Sequence, residues 1–282
     1  MVDLVTEAFD PSFMQRALWG GIVAAVATSL VGTWVVLRGL AFLGDALAHG
    51  VIPGIAIAVL IGINPAIGAF AAALVMSGLI SVVSSRTTVR EDTAIGLLFV
   101  GMLALGIVIV SRSQSFAIEV TALLFGDVLG VTASDIRLQM VAAAIVLVTT
   151  VVFYRPFLAL TFNPQKAKTL GMRPKATQAL LLSMLALSIV ASFQAIGTLL
   201  VFGLLVGPPA SAALMVRRVP VIMAVAALLG SASVFVGLLI SFHWGTAGGA
   251  TIAGLSVLQF FVVMSVREVM IVHRRVQGAT AY

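Results

Sequence analysis

Nine runs of mostly apolar residues, most of them about as long as a bilayer is thick, constrain this chain more than anything else in it. They fall at 17–37, 41–62, 65–84, 94–111, 136–154, 177–192, 196–216, 221–241 and 249–267. A helix rises about 1.5 Å per residue, so roughly 20 apolar residues cross a hydrocarbon core of about 30 Å. Of the 282 residues, 61% are hydrophobic and 9% are charged. A soluble domain carries about 25% charged residues; this chain has too few charges to cover its surface in water. The expected fold is therefore an all-α polytopic membrane protein forming a single transmembrane domain over 1–282. The sixth run is short and is separated from the seventh only by Ser192–Ala195. A broken pair at that point makes the expected number of crossings eight to nine.

The basic residues orient the spans. Cytoplasmic loops are enriched in Lys and Arg. With the N-terminus outside and nine crossings, Arg38, Arg86, Arg90, Arg155, Lys166, Lys168, Arg173, Lys175, Arg217, Arg218, Arg267, Arg274 and Arg275 all lie inside. Only Arg16, Arg112 and Arg137 of the 16 Lys and Arg fall outside. The split supports an outside N-terminus and a cytoplasmic C-terminus. It also accounts for the net charge of +6 as membrane topology. These basic residues sit in loops without interleaved aromatics, so no nucleic-acid partner is expected. The absence of cysteine excludes disulfides, thiolate metal sites and thiol nucleophiles. The opening MVDLVTEAFDPSF is acidic and polar, unlike the basic start of a cleavable signal peptide.

Two loops stand out. The inside segment 155–176 is the longest basic stretch, and all three lysines of the chain lie within it. It is expected to hold a short helix from Pro164 to Leu170, with Asn163 as N-cap, Gly171 closing it and Pro174 stopping it. The outside segment 112–135 is polar at both ends. Its Ile118, Leu123, Leu124 and Phe125 fit an amphipathic or re-entrant helix.

Ionisable groups within a bilayer are costly and usually functional. The clearest here are Asp45 and His49, spaced i, i+4 on one face of the second span and near its mid-depth. A carboxylate oxygen and an imidazole nitrogen suit zinc, manganese or iron, or a proton relay. The same pair could instead brace the helix against a neighbour. Pro53 and Gly54 follow and should kink or break this span. Gly207, Pro208 and Pro209 should interrupt the seventh. Broken helices at mid-depth often border a substrate path, whereas ordinary packing kinks would leave the same signature. His243, near the outer end of the eighth span, reads as a surface histidine or as an outer metal ligand. Short glycine patterns such as Gly20–Gly21 and Gly101 with Gly106 are expected at close helix contacts. The chain has no G-x-x-x-x-G-K-[ST] phosphate loop and no catalytic constellation, so it is not expected to be an enzyme.

FLGDALAHGVIPGIAIA (42–58) and SFQAIGTLLVFGLLVGPPASAALM (192–215) together closely resemble the signatures of the metal permease family of ABC importers. EDTAIGLLF (91–99) and FNPQKAKTLGM (162–172) match in kind and position, and the likeness runs from DPSFMQRALWGG (10–21) to the last span. The resemblance implies a type II ABC importer-like permease of the bacterial plasma (inner) membrane. It implies a homodimer with a second copy of the chain, seated on a cytoplasmic ATPase dimer and fed by an extracytoplasmic metal-binding protein. The cargo would be a divalent ion, most often zinc or manganese, and no cofactor would be bound stably. The resemblance makes Asp45 and His49 the transit ligands. It makes Asn163, Pro164, Gln165, Lys166, Ala167, Lys168, Leu170 and Gly171 the helix that couples to the ATPase. Family members typically carry an aspartate near the outer end of the eighth span. Here the stretch is His243–Trp244–Gly245, and a histidine in that place would favour zinc. Two transporter alternatives stand beside this reading: a proton-coupled secondary metal transporter, and a permease for a metal chelate such as a siderophore or haem. A membrane scaffold that transports nothing is a third, and it would leave the Asp–His pair without a purpose.

Overall fold

The structure is a computed structural model that describes residues 2–86, 91–111, 130–169 and 171–279. The described residues form helices joined by short connections, with no strand among them. In chain order these are α1 (Val2–Phe9), α2 (Ser12–Leu37), α3 (Phe42–Gly50), α4 (Ile52–Leu60), α5 (Pro65–Arg86), α6 (Glu91–Ser111) and α7 (Ala133–Val152). They continue as α8 (Tyr154–Phe162), α9 (Pro164–Thr169), α10 (Pro174–Ile196), α11 (Thr198–Met215), α12 (Val219–Trp244) and α13 (Gly248–Ala279). A helix is the local answer to lipid, because it pairs its own backbone groups where no water can.

Eight helical segments are long and apolar enough to cross a membrane, with α3 and α4 together making one of them. The remaining apolar run is α11, 18 residues long, or about 27 Å. The outer segment 112–135 lies outside the described residues except for its last six positions. There, Thr132 caps α7: its side chain accepts from the Asp135 N–H, and the Asp135 carboxylate accepts from the Thr132 N–H. This is a reciprocal capping box. Nearby, Arg16 Nε donates to the Val131 carbonyl at 3.1 Å, tying the start of α2 to the entry of α7.

Helix α2 is the axis of the bundle. It packs against α7, α10, α11 and α12, and its middle is built from small residues such as Ala24, Ala25, Thr28, Ser29 and Gly32, all buried. Small side chains let helices approach when lipid offers no hydrophobic drive between them. The two buried threonine hydroxyls are satisfied within the helix: Thr28 donates to the Ala24 carbonyl and Thr33 to the Ser29 carbonyl, each at 2.7 Å. Around this axis, α6, α7 and α13 turn apolar side chains such as Leu97, Val151 and Val269 outward, as lipid-facing helices do.

Three sequence expectations change. The interruption expected at Ser192–Ala195 is absent: α10 runs through Ile196, and the break comes at Gly197, with φ +81°. Polar residues do not stop a helix. A left-handed backbone angle does, and glycine reaches it without strain. The sixth span is accordingly a full 23-residue helix. The second change is at Gly207–Pro208–Pro209, where α11 continues without a break. Pro209 cannot donate to the Leu205 carbonyl four residues back. A Cβ built on Gly32 of α2 would fall on that carbonyl, so the freed oxygen faces the Gly32 α-hydrogen. A weak Cα–H···O contact takes the place of the lost helical bond. Third, Gly101 meets no neighbour among the described residues, whereas a Cβ at Gly106 would crowd Ile52 of α4.

Candidate metal-translocation site

Helix α3 is clamped on most of its circumference. Gly44 lets Leu205 of α11 come close, and Gly50 does the same for Met76 of α5. Leu43, Ala46, Leu47 and Ala48 are buried as well. One stripe remains open, formed by Phe42, Asp45 and His49 at helical spacing. The Asp45 side chain is 30% exposed and that of His49 is 24% exposed, so both are within reach of an ion from outside the packed helices. His49 Nε2 stands 3.4 Å from Asp45 Oδ1. The i, i+4 spacing fixes this approach, because both side chains stand over successive turns of one face.

The Phe99 ring of α6 lies beside the pair. It meets the His49 ring edge-on at 5.9 Å between centroids and the Phe42 ring edge-on at 5.6 Å. The imidazole is thus held between a carboxylate and an aromatic edge. Sequence reasoning had given Phe99 no role, although it ends the EDTAIGLLF stretch. An aromatic residue inside an apolar span carries no chemical signal of its own.

Just after His49 the helix is interrupted for one residue. Pro53 has no N–H to offer the His49 carbonyl, and the Val51 N–H bonds that carbonyl instead. Val51 keeps right-handed helical angles, φ −80° and ψ −17°, and the chain runs on as α4. The interruption thus lies two residues before the proline that causes it.

The other expected path residues fill helix contacts. Gly54 faces Gly68 of α5 so closely that either Cβ would strike the other's carbonyl. Gly207 abuts the Ser256 backbone of α13, and Pro208 lies near Gly230 of α12. Pro53, Gly207, Pro208 and Pro209 are all buried. His243 is exposed on the last turn of α12, where Nδ1 donates to the Leu239 carbonyl at 2.9 Å. That helix packs on α2, α11 and α13 rather than on α3. Among the described residues, no third His, Asp or Glu gathers with Asp45 and His49, so His243 does not complete their set.

Two ligands of mixed oxygen and nitrogen type can hold a first-row divalent ion. They leave most of its coordination shell to water or to donors from elsewhere. Such a site binds weakly and releases readily.

The 155–176 segment forms two short helices. Beyond a bend at Phe153, α8 carries Arg155 and buries Phe157 against Trp34, with the two rings 5.7 Å apart. Helix α9 spans Pro164–Thr169. At its start the Ala167 N–H bonds the Asn163 carbonyl; at its end the Gly171 N–H reaches the Lys168 carbonyl and the Met172 N–H the Ala167 carbonyl. This pair of bonds, with Gly171 at φ +72°, is a Schellman closure. Ala167 is buried, while Gln165 and Lys168 are exposed. Leu170 lies outside the described residues.

The likeness to known proteins covers nearly the whole chain. The model of the ABC 3 transport family matches residues 10–267. The manganese transport system membrane protein MntC of Halalkalibacterium halodurans is 36% identical over 86% of this chain and 82% of its own. A probable iron transport system membrane protein of Haemophilus influenzae is 33% identical over 96% of this chain and 100% of its own. The solved structure of PsaBC from Streptococcus pneumoniae in complex with Fab superposes with a TM-score of 0.82 at 28% identity, covering 93% of this chain and 94% of that one. Sequence signatures, helical architecture and these relatives agree: the chain is a multi-pass protein of the bacterial plasma membrane and belongs to the ABC 3 transport family, as a permease subunit that is not itself catalytic.

Proposed function

We propose that this permease carries divalent transition-metal ions into the cell, with Asp45 and His49 as transient ligands in the path. The observation that carries the reading is the open Asp45–His49 stripe on a helix that is otherwise buried. Relatives named for manganese and iron transport support the cargo class. Manganese is the first ion to test, with zinc and iron(II) as competitors. The pull toward zinc rested on His243, which stands apart from the pair.

The distribution of Lys and Arg supports an N-terminus outside and a C-terminus inside. In that orientation α9 faces the cytoplasm. Two copies of the chain would place the open stripes along a shared path. A cytoplasmic ATPase dimer would grip each α9, and an extracytoplasmic binding protein would deliver the ion. ATP binding would draw the two α9 helices together and turn the path from one side to the other. A pair of ligands that binds weakly suits this cycle, because a tight site would trap the ion.

The test is uptake of radiolabelled manganese by cells that carry the transporter with its neighbouring ATPase, with and without each competing metal. Uptake that stops when the ATPase is inactivated is expected. Uptake by the purified chain alone in vesicles, driven by a proton gradient, would instead establish a secondary transporter. A second experiment addresses coupling. Ala167 is buried beneath α9, so Ala167→Glu buries a charge there and should displace the helix. Co-purification of the ATPase should fall at least about tenfold while the chain still reaches the membrane. An undiminished complex would remove α9 from the coupling role.

A further inference from the structure

A groove of about 620 Å³ lies where the end of α11 and the turn after it meet α13. Its floor and walls are apolar, with Met215, Val262, Val266 and Met270 among them, and Arg217 and Arg267 stand at its rim. Among the described residues no carboxylate lines it. A shallower trough of about 220 Å³ between α12 and α13 shares Val262 with it. Together they follow α13 from Leu255 to Ile271, about 24 Å at 1.5 Å per residue.

The groove is placed where headgroup and acyl chain meet. The part of α13 that is apolar enough to span a membrane ends at Ile271, and the apolar stretch of α11 ends at Met215. Arg267 therefore sits one turn inside the end of one helix, and Arg217 lies just past the end of the other. Both are exposed, and arginines at this depth extend toward the interface. The apolar trough runs from them toward the bilayer centre for more than one leaflet's depth of about 15 Å. The polar groups within it are already paired: Ser233 donates to Gln259 Oε1 at 3.3 Å, and Gln259 Nε2 donates to the Leu229 carbonyl at 3.5 Å. The wall therefore presents itself to an occupant as apolar.

We propose that this groove holds an anionic phospholipid, with its phosphate between Arg217 and Arg267 and an acyl chain along α13. Guanidinium groups match phosphate oxygens in charge and in bidentate geometry, and a basic rim over an apolar trough fits a lipid of this charge. The site is independent of the metal path.

Native mass spectrometry of the full chain, titrated with phosphatidylglycerol and with phosphatidylcholine, tests the assignment. The wild type should retain phosphatidylglycerol about ten- to thirtyfold more strongly, the size expected from two arginines near a lipid surface. The Arg217→Gln/Arg267→Gln double variant should lose that preference, and Arg217→Lys/Arg267→Lys should keep most of it. Equal retention of the two lipids by the wild type, or an unchanged preference in the glutamine variant, overturns the proposal. So does a second copy of the chain in the groove. The chain has no cysteine, so Val266→Cys offers a single thiol. Rapid disulfide dimerisation through it in membranes would assign the groove to a protein interface.

Discussion

Asp45→Ala and His49→Ala, made separately, are each expected to cut metal uptake to background, a loss above the roughly ten- to hundredfold typical when only an outer-shell partner of a metal site is removed. Protein level in the membrane and thermal stability should stay near wild type. The reason is geometric: both side chains stand on the one open stripe of α3, 3.4 Å apart and partly exposed. A partly exposed pair contributes only about 0–1 kcal/mol to stability. If the pair merely braced the helix, stability and uptake would fall together. Asp45→Asn separates charge from shape: it keeps the size of the side chain and should still fail to transport. Wild-type uptake by any of these variants would remove the pair from the path.

Gly32→Leu is expected to have the largest effect on folding, and even Gly32→Ala should be costly. A Cβ at this position meets a backbone oxygen, that of Leu205, and a backbone cannot swing aside as a flexible side chain can. Forcing extra atoms into a packed contact typically costs about 1–3 kcal/mol, and a clash with backbone lies at the upper end. Detergent-extracted Gly32→Leu should show little monodisperse protein, and Gly32→Ala should melt at a clearly lower temperature. Gly78→Ala is the control. Among the described residues a Cβ there has no neighbour within 4 Å, so it should be neutral or slightly stabilising, since glycine costs about 1 kcal/mol in a helix interior. Equal melting temperatures for Gly32→Ala and Gly78→Ala would contradict the α2–α11 contact.

The spans were legible in the sequence because lipid imposes a length and leaves little room for other solutions. The Asp45–His49 pair was legible for a similar reason: ionisable groups are so rare in such runs that an i, i+4 pair stands out. Helix endings were harder. Polarity at Ser192 and Gln194 looked like a boundary, yet the backbone angle at Gly197 made it. Two adjacent prolines looked like a break in α11, yet the carbonyl that Pro209 frees is turned onto a glycine of another helix. That contact joins residues far apart in the chain, and no local pattern announces it. The place of Phe99 beside His49 was hidden for the same reason.

The contact between the Leu205 carbonyl and Gly32 also bears on how such a machine can move. The residues one turn away on the same face of α2 are Thr28 and Val36, so sliding α11 along α2 by a turn would bring a side chain against that oxygen. The two helices therefore have one register and should travel as a rigid unit.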